Sequence, residues 1–179
     1  AAGVAFENAT YIEVARKTAG FLLDNTFDGD HFSFIGCIGW YERGQARAVF
    51  DQQPIEAAGT VMMLRAAFDA TRDAAFLTLQ RKAFDWFLGA NDLHVPLYDF
   101  RTKGCSDGLM ASGVNGNQGA ESTVSFLLAL LSIVESYAMI DKIREAGGAD
   151  PTEIETADDD SGGISDPMDT NPRPTGKSA

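Results

Sequence analysis

Histidine and cysteine are scarce in this sequence, with two of each among 179 residues. Cys37 and Cys105 are too few for a disulfide framework, and neither has a spacing to other Cys or His suited to zinc. Two free thiols in a reducing compartment are expected, with no metal and no cofactor. Basic residues are also in the minority: 14 Lys and Arg face 26 Asp and Glu, a formal charge of −12. That balance argues against nucleic acid and against an anionic membrane surface as partners. The apolar run Phe126–Leu131 is short and bounded by Ser125 and Ser132, so no transmembrane span is expected. The first residues lack the basic-then-apolar pattern of a secretory signal, which makes a cytoplasmic location the expectation. The chain starts without Met, as a processed product, a trimmed chain or a piece of a longer protein would.

Hydrophobic residues make up 45% of the chain, enough for one globular domain with a core. Charge is unevenly spread. Residues 147–179 carry eight acidic side chains (Asp150, Glu153, Glu155, Asp158, Asp159, Asp160, Asp166, Asp169) against Arg173 and Lys177, half of the net charge. This Gly/Pro/Ser-rich stretch buries too little to fold alone. The expected division is a helical domain over 1–146 and an acidic tail over 147–179.

Periodicity predicts an all-α chain with four helices. The first, Thr10 to about Asn25, is amphipathic, with Thr10 and Glu13 at capping-box spacing. The second starts at Asp51 or Gln52 and runs to about Ala70; Pro54 is tolerable only in a first turn and so places the start. It is apolar almost all round and so must be buried on most sides. The third, Ala74 to about Leu88, shows one stripe of Phe76, Leu79, Ala83, Trp86 and Phe87. The fourth, from about Gln118 past Tyr137, is again apolar nearly all round. Links into the two apolar helices are long, roughly 26–50 and 90–117, and long structureless loops in compact domains usually serve function. Exposed helix, long loop, buried helix recurs with a period near 65 residues, and Gln53-x-x-Glu56 recurs as Gln118-x-x-Glu121. Antiparallel hairpins, with buried helices inside and exposed ones outside, form part of an α/α toroid with both long loops on one face.

Glu56 and Glu121 therefore stand at the starts of two inner helices. Two carboxylates on one rim suit glycoside chemistry, one as general acid and the other as base or nucleophile. The competing reading is capping, since a Glu in a first turn complements the helix dipole. Asp51 reads as the N-cap of the second helix and Asn117 as that of the fourth. Gln52, Gln53, Asn115 and Gln118 add amides, which both donate and accept as sugar hydroxyls demand. Trp40 and Tyr41, between two glycines in the first loop, offer faces for stacking on a pyranose, or else anchor the loop together with Phe32 and Phe34. Asp107, before Gly108, is a sugar contact or a turn residue. Asp28 and Asp30 lack the spacing of an EF-hand loop.

Four segments carry a resemblance: GWYERG (39–44), FDQQPIEA (50–57), LYDFRTKGCSDGL (97–109) and VNGNQGAEST (114–123). Together they resemble the six-hairpin, (α/α)6-toroid glycosidase-like domains, in the version often found behind a family 4 glycosyltransferase domain in bacterial proteins. The likeness spans about residues 8–140. It implies a carbohydrate-active domain with a glycan at the loop-bearing face and Glu56 and Glu121 as catalytic candidates. Alternatives are a non-catalytic carbohydrate-binding or accessory module associated with a glycosyltransferase, and a structural interaction domain. A complete domain of this kind has six hairpins and this chain has about two. The open flanks of the two apolar helices are therefore expected to meet a second copy, as a homodimer, or the missing half of a longer toroid, with the tail draped over the seam.

Overall fold

The computed structural model describes residues 2–145 and 147. The acidic tail, apart from Gly147, lies outside the described residues, and so does its expected place over a seam. The described chain is mostly helical. A short α1 (Ala2–Ala5) leads into α2 (Ala9–Thr26), followed by α3 (Pro54–Thr71), α4 (Ala75–Asp85) and α5 (Ala120–Glu145). A turn of 3-10 helix, Trp86–Leu88, extends α4 and ends at Gly89, whose φ of 112° is the left-handed region that glycine adopts freely. The only sheet among the described residues pairs β1 (Leu109–Met110) with β2 (Gly113–Val114) in the second long connection.

Local chemistry moves three predicted caps. Asn8, not Thr10, caps α2: its side chain accepts from the backbone N–H groups of Thr10 and Tyr11. Asp51 does not cap α3. Pro54 is its first residue, and the N-cap is Gln53, whose side chain makes no capping bond. Asn117 does not cap α5, which starts three residues later because an aspartate from the preceding loop takes the capping role.

The core gathers α3, α4 and α5 around an aromatic cluster. α3 packs against both α4 and α5. It buries Ala57, Ala58, Val61, Leu64 and Phe68, leaving Ile55 and Met62 as its exposed large apolar residues. Of the predicted stripe, Ala83, Trp86 and Phe87 are fully buried, whereas Phe76 and Leu79 are only partly covered and Leu77, Gln80 and Phe84 take their place on the buried face of α4. The shift follows from Gln80, which is buried because α5 meets it with serines: its amide donates to Ser132 Oγ (3.0 Å) and accepts from Ser136 Oγ (2.8 Å).

The fourth helix is covered on one side only, and the open flank expected of it is exposed in the protomer. α5 turns Ser122, Ser125, Ser132 and Ser136 inward with Phe126, Ala129, Ile133 and Ile140. It leaves Val124, Leu127, Leu128, Leu131, Val134 and Tyr137 about half in water. Among the described residues it is the one helix long and apolar enough to cross a membrane by length and composition.

Phe32 and Phe34 anchor the first long connection in the core, with Phe34 edge-on to Trp86 at 5.5 Å. The two long connections are joined where Gln52 and Leu109 exchange both backbone hydrogen bonds (3.1 and 2.8 Å). This junction sets the rim on which α3 begins.

Candidate functional site

Gln52 is the fixed point of that rim. Its side chain is fully buried, with all four amide bonds made inside the protein. Oε1 accepts from the Phe34 N–H (3.1 Å) and the Trp86 indole N–H (2.9 Å), and Nε2 donates to the Val49 carbonyl (2.9 Å) and Asp92 Oδ2 (2.5 Å). An amide so occupied has no bond left for a sugar; Gln52 positions the loop and does not touch a ligand. The chain of contacts continues from Asp92 Oδ1 to His31 Nε2 (3.4 Å) and from His31 Nδ1 to Asp28 (3.4 Å).

Above this support two carboxylates are left incompletely satisfied. Among the described residues, the buried side-chain polar atoms without a hydrogen-bond partner are Asp51 Oδ1 and Glu56 Oε2. Asp51 lies against Gly108, where no Cβ would fit beside its carboxylate. Burial pushes its pKa up. Glu56, the third residue of α3, is also pushed up by burial, opposed in part by a hydrogen bond from the Gln53 backbone N–H. That bond is one half of a capping box. The other oxygen is buried without a partner, and the residue borders a cleft of about 290 Å³ whose wall includes Leu22, Phe34, Ile35, Gly59 and Met63. A carboxyl in apolar surroundings holds its proton to higher pH, the property required of a general acid.

The start of α5 is built differently. Asp107 accepts from the Gly119 N–H (2.7 Å), from Ser122 Oγ (2.7 Å) and from the Asn117 side-chain amide. These bonds, the Ser122 hydroxyl first, hold its carboxyl below the usual range. Asp107 is thus the remote cap of α5, and Asn117 its supporting donor. Asn115 accepts from the Asn117 N–H (3.1 Å), and Gln118 accepts from Thr102 Oγ1 (2.8 Å). Glu121 is exposed, is the second residue of its helix where Glu56 is the third, and is not among the residues lining the Glu56 cleft. The two Gln-x-x-Glu pairs therefore share spacing but not position. Gln53 reaches Cys37 Sγ (3.4 Å) and not Glu56.

Trp40 is 61% exposed, at a φ of 55° that a bulky residue rarely adopts. It does not anchor the loop, a task that falls to Phe32 and Phe34, so its ring is open to solvent. Tyr41 stacks on Phe21 (6.1 Å) and lines a polar cleft of about 420 Å³ with Asp24, Asn25, Asp28, Gln45 and Arg47. Thr26 borders this cleft and the Glu56 cleft alike. Sequence reasoning missed Asp24, Asn25 and Gln45, because polar residues at a helix end and in a loop carry no signal that separates a cleft wall from a solvated surface.

Elsewhere, a cleft of about 440 Å³ between α4 and α5 is lined by Arg81 and Lys82. Their charged tips are engaged, Arg81 with Asp85 and the Tyr137 hydroxyl, and Lys82 with the Gly29 carbonyl. Cys37 and Cys105 are free, and burial pushes the Cys105 thiol up to about 12, which keeps it protonated and unreactive. Among the described residues no group of three or more His, Cys, Asp and Glu is arranged to hold a metal ion. Compared with known proteins, the chain matches no protein-family model and no curated protein.

Proposed function

We propose that this chain is a carbohydrate-active, glycosidase-like domain that seats a glycan at the rim where α3 begins, with Glu56 as proton donor. The observation that carries the reading is the pair of buried, unpartnered carboxylate oxygens, Asp51 Oδ1 and Glu56 Oε2, on one rim and both with pKa values raised by burial. Buried carboxylates without partners cost stability and cluster where chemistry needs them. Trp40 supplies an open aromatic face for a pyranose, and the Tyr41 cleft supplies amides and carboxylates for its hydroxyls. Asp51 and Glu121 are the carboxylates available as base or nucleophile. In this reading α3 and α5 are inner helices of an arc of α/α toroid, and α2 and α4 are outer ones.

A glycan array probed with the wild type, Trp40→Ala and Glu56→Gln tests the proposal, followed by a reducing-end assay on any glycan retained. The wild type is expected to retain and cleave a glycan. Trp40→Ala should weaken retention. Glu56→Gln should keep retention but lose about 10²–10⁴-fold in cleavage, the usual worth of a general acid. A wild type that retains no glycan sinks the proposal. Retention without cleavage supports the second reading, a carbohydrate-binding accessory module of a glycosyltransferase, which the exposure of Glu121 away from the Glu56 cleft favours. A third reading, an interaction domain, is favoured by the apolar face of α5.

A further inference from the structure

α5 is inverted relative to an ordinary surface helix, and its orientation is firmly specified. Each of three inward serines has a polar partner: Ser122 donates to Asp107, Ser132 accepts from Gln80, and Ser136 contacts both Gln80 and Arg65. Rotating the helix to hide its leucines would break these bonds and strand Gln80 in the core. The outward side chains between Val124 and Tyr137 leave on the order of 600 Å² of apolar surface in water, at the upper limit for a soluble monomer. One partner's share of a standard protein interface is of similar size, about 800 Å².

The pattern of this face indicates what covers it. Val124, Leu127, Leu131, Val134 and Ala138 are all exposed and follow the 3-4 spacing of a coiled-coil seam, which fits another helix. No charge interrupts the helix from Ser122 to Val134. Glu121 and Lys142 lie three heptads apart on one flank of the seam, with their midpoint at Leu131–Ser132. An antiparallel helix of the same sequence, crossing there, sets each Glu121 opposite a Lys142 and opposes the two helix dipoles. A bilayer surface fits less well: membrane-surface helices are fringed with Lys and Arg, whereas Glu121, Glu135, Asp141 and Glu145 outnumber Lys142 and Arg144 around this face.

We propose that the Val124–Ala138 face of α5 docks on the same face of a second copy of this chain, antiparallel about a two-fold axis near Leu131. This narrows the expected interface to α5, because α3 packs against both α4 and α5 and leaves only Ile55 and Met62 as exposed large apolar side chains. It does not depend on the carbohydrate reading. Sedimentation velocity of the whole 179-residue chain at micromolar concentration should give a dimer. Leu127→Glu with Leu131→Glu should give a monomer of unchanged helical circular dichroism, since both side chains are about half in water within one protomer, with a melting temperature lowered only by the lost dimer linkage and no longer dependent on concentration. Glu121→Lys should weaken the dimer about fivefold, and adding Lys142→Glu should restore it. Independently of folding effects at the seam, Leu131→Cys in a Cys37→Ser background should cross-link to dimer on air oxidation far more readily than Val124→Cys. A monomeric wild type, a dimer that survives both glutamates, equal cross-linking at the two positions, or co-sedimentation with phosphatidylcholine/phosphatidylglycerol vesicles would each overturn the proposal.

Discussion

The beginnings of α3 and α5 invite comparison, because both helices are apolar, both follow a long connection and both carry Glu in the first turn after an x-Gln pair. At α5 the free N–H groups are met by Asp107, whose carboxylate is stabilised by three donors. Its glutamate, Glu121, stands in water and takes no part in the cap. At α3 no side chain caps the helix from outside. Glu56 reaches back to the Gln53 N–H with one oxygen and buries the other unpaired, beside an Asp51 in the same condition. One start is arranged for stability and the other keeps two carboxylate oxygens unsatisfied, with Glu56 on the wall of a cleft. A protein retains such an arrangement when the carboxyl has other work, at some cost to the fold.

The sharpest way to break the contrast is to remove the support under the α3 rim. Gln52→Leu leaves the Phe34 and Trp86 N–H groups and the Asp92 carboxylate without their partner. Urea denaturation should show a loss of about 3–5 kcal/mol. A loss below about 1 kcal/mol would mean that the rim is not held from beneath.

A smaller effect is expected at α5. Asp107→Ala should cost about 1 kcal/mol, the usual value of an N-cap. The folded-state pKa of Asp107 is depressed, so its contribution is present above the usual carboxylate range and is lost as pH falls through and below that range. Thermal melts of wild type and variant should therefore converge in acid.

Glu56→Gln should act in the opposite direction. The folded-state pKa of Glu56 is raised, so the protonated form is the better tolerated one, and stability falls as pH rises through that raised value. The neutral amide keeps the bond from the Gln53 N–H and removes the buried charge. At neutral pH the variant should be more stable by up to about 1 kcal/mol, after allowance for a cleft that is partly open. The gain should vanish in acid, and a variant less stable than wild type at neutral pH would contradict the picture of a strained carboxylate. Glu121→Gln, the matched change, should stay within about 0.5 kcal/mol, as exposed substitutions do.

Much of the helical layout was legible. Pro54 marked the start of α3, the short break read at Thr71–Asp73 lies one residue later at Arg72–Ala74, and the long connections were placed to within a few residues, because proline, caps and periodicity act locally. Asn8 was passed over since Thr10 and Glu13 offered an equally good capping pattern. The Glu56 and Asp51 carboxylates were legible as candidates. The role of Gln52 was not, because an amide in a polar cluster looks the same whether its four bonds are made by water, by a sugar or by Trp86 and Asp92.

The sequence by itself determined where helices form, that the first turns of α5 are uncharged and apolar nearly all round, and that acid outweighs base; these follow from side-chain chemistry and backbone sterics within a few turns. Only the tertiary structure decided which side of α5 faces inward. Serines at helical spacing are small enough to face water or the core, and the choice fell to Gln80, Arg65 and Asp107, which needed them as partners. The same long-range packing separated two identically spaced glutamates, burying Glu56 in the cleft beside α2 and leaving Glu121 in water, since burial is set by which neighbours the fold brings close.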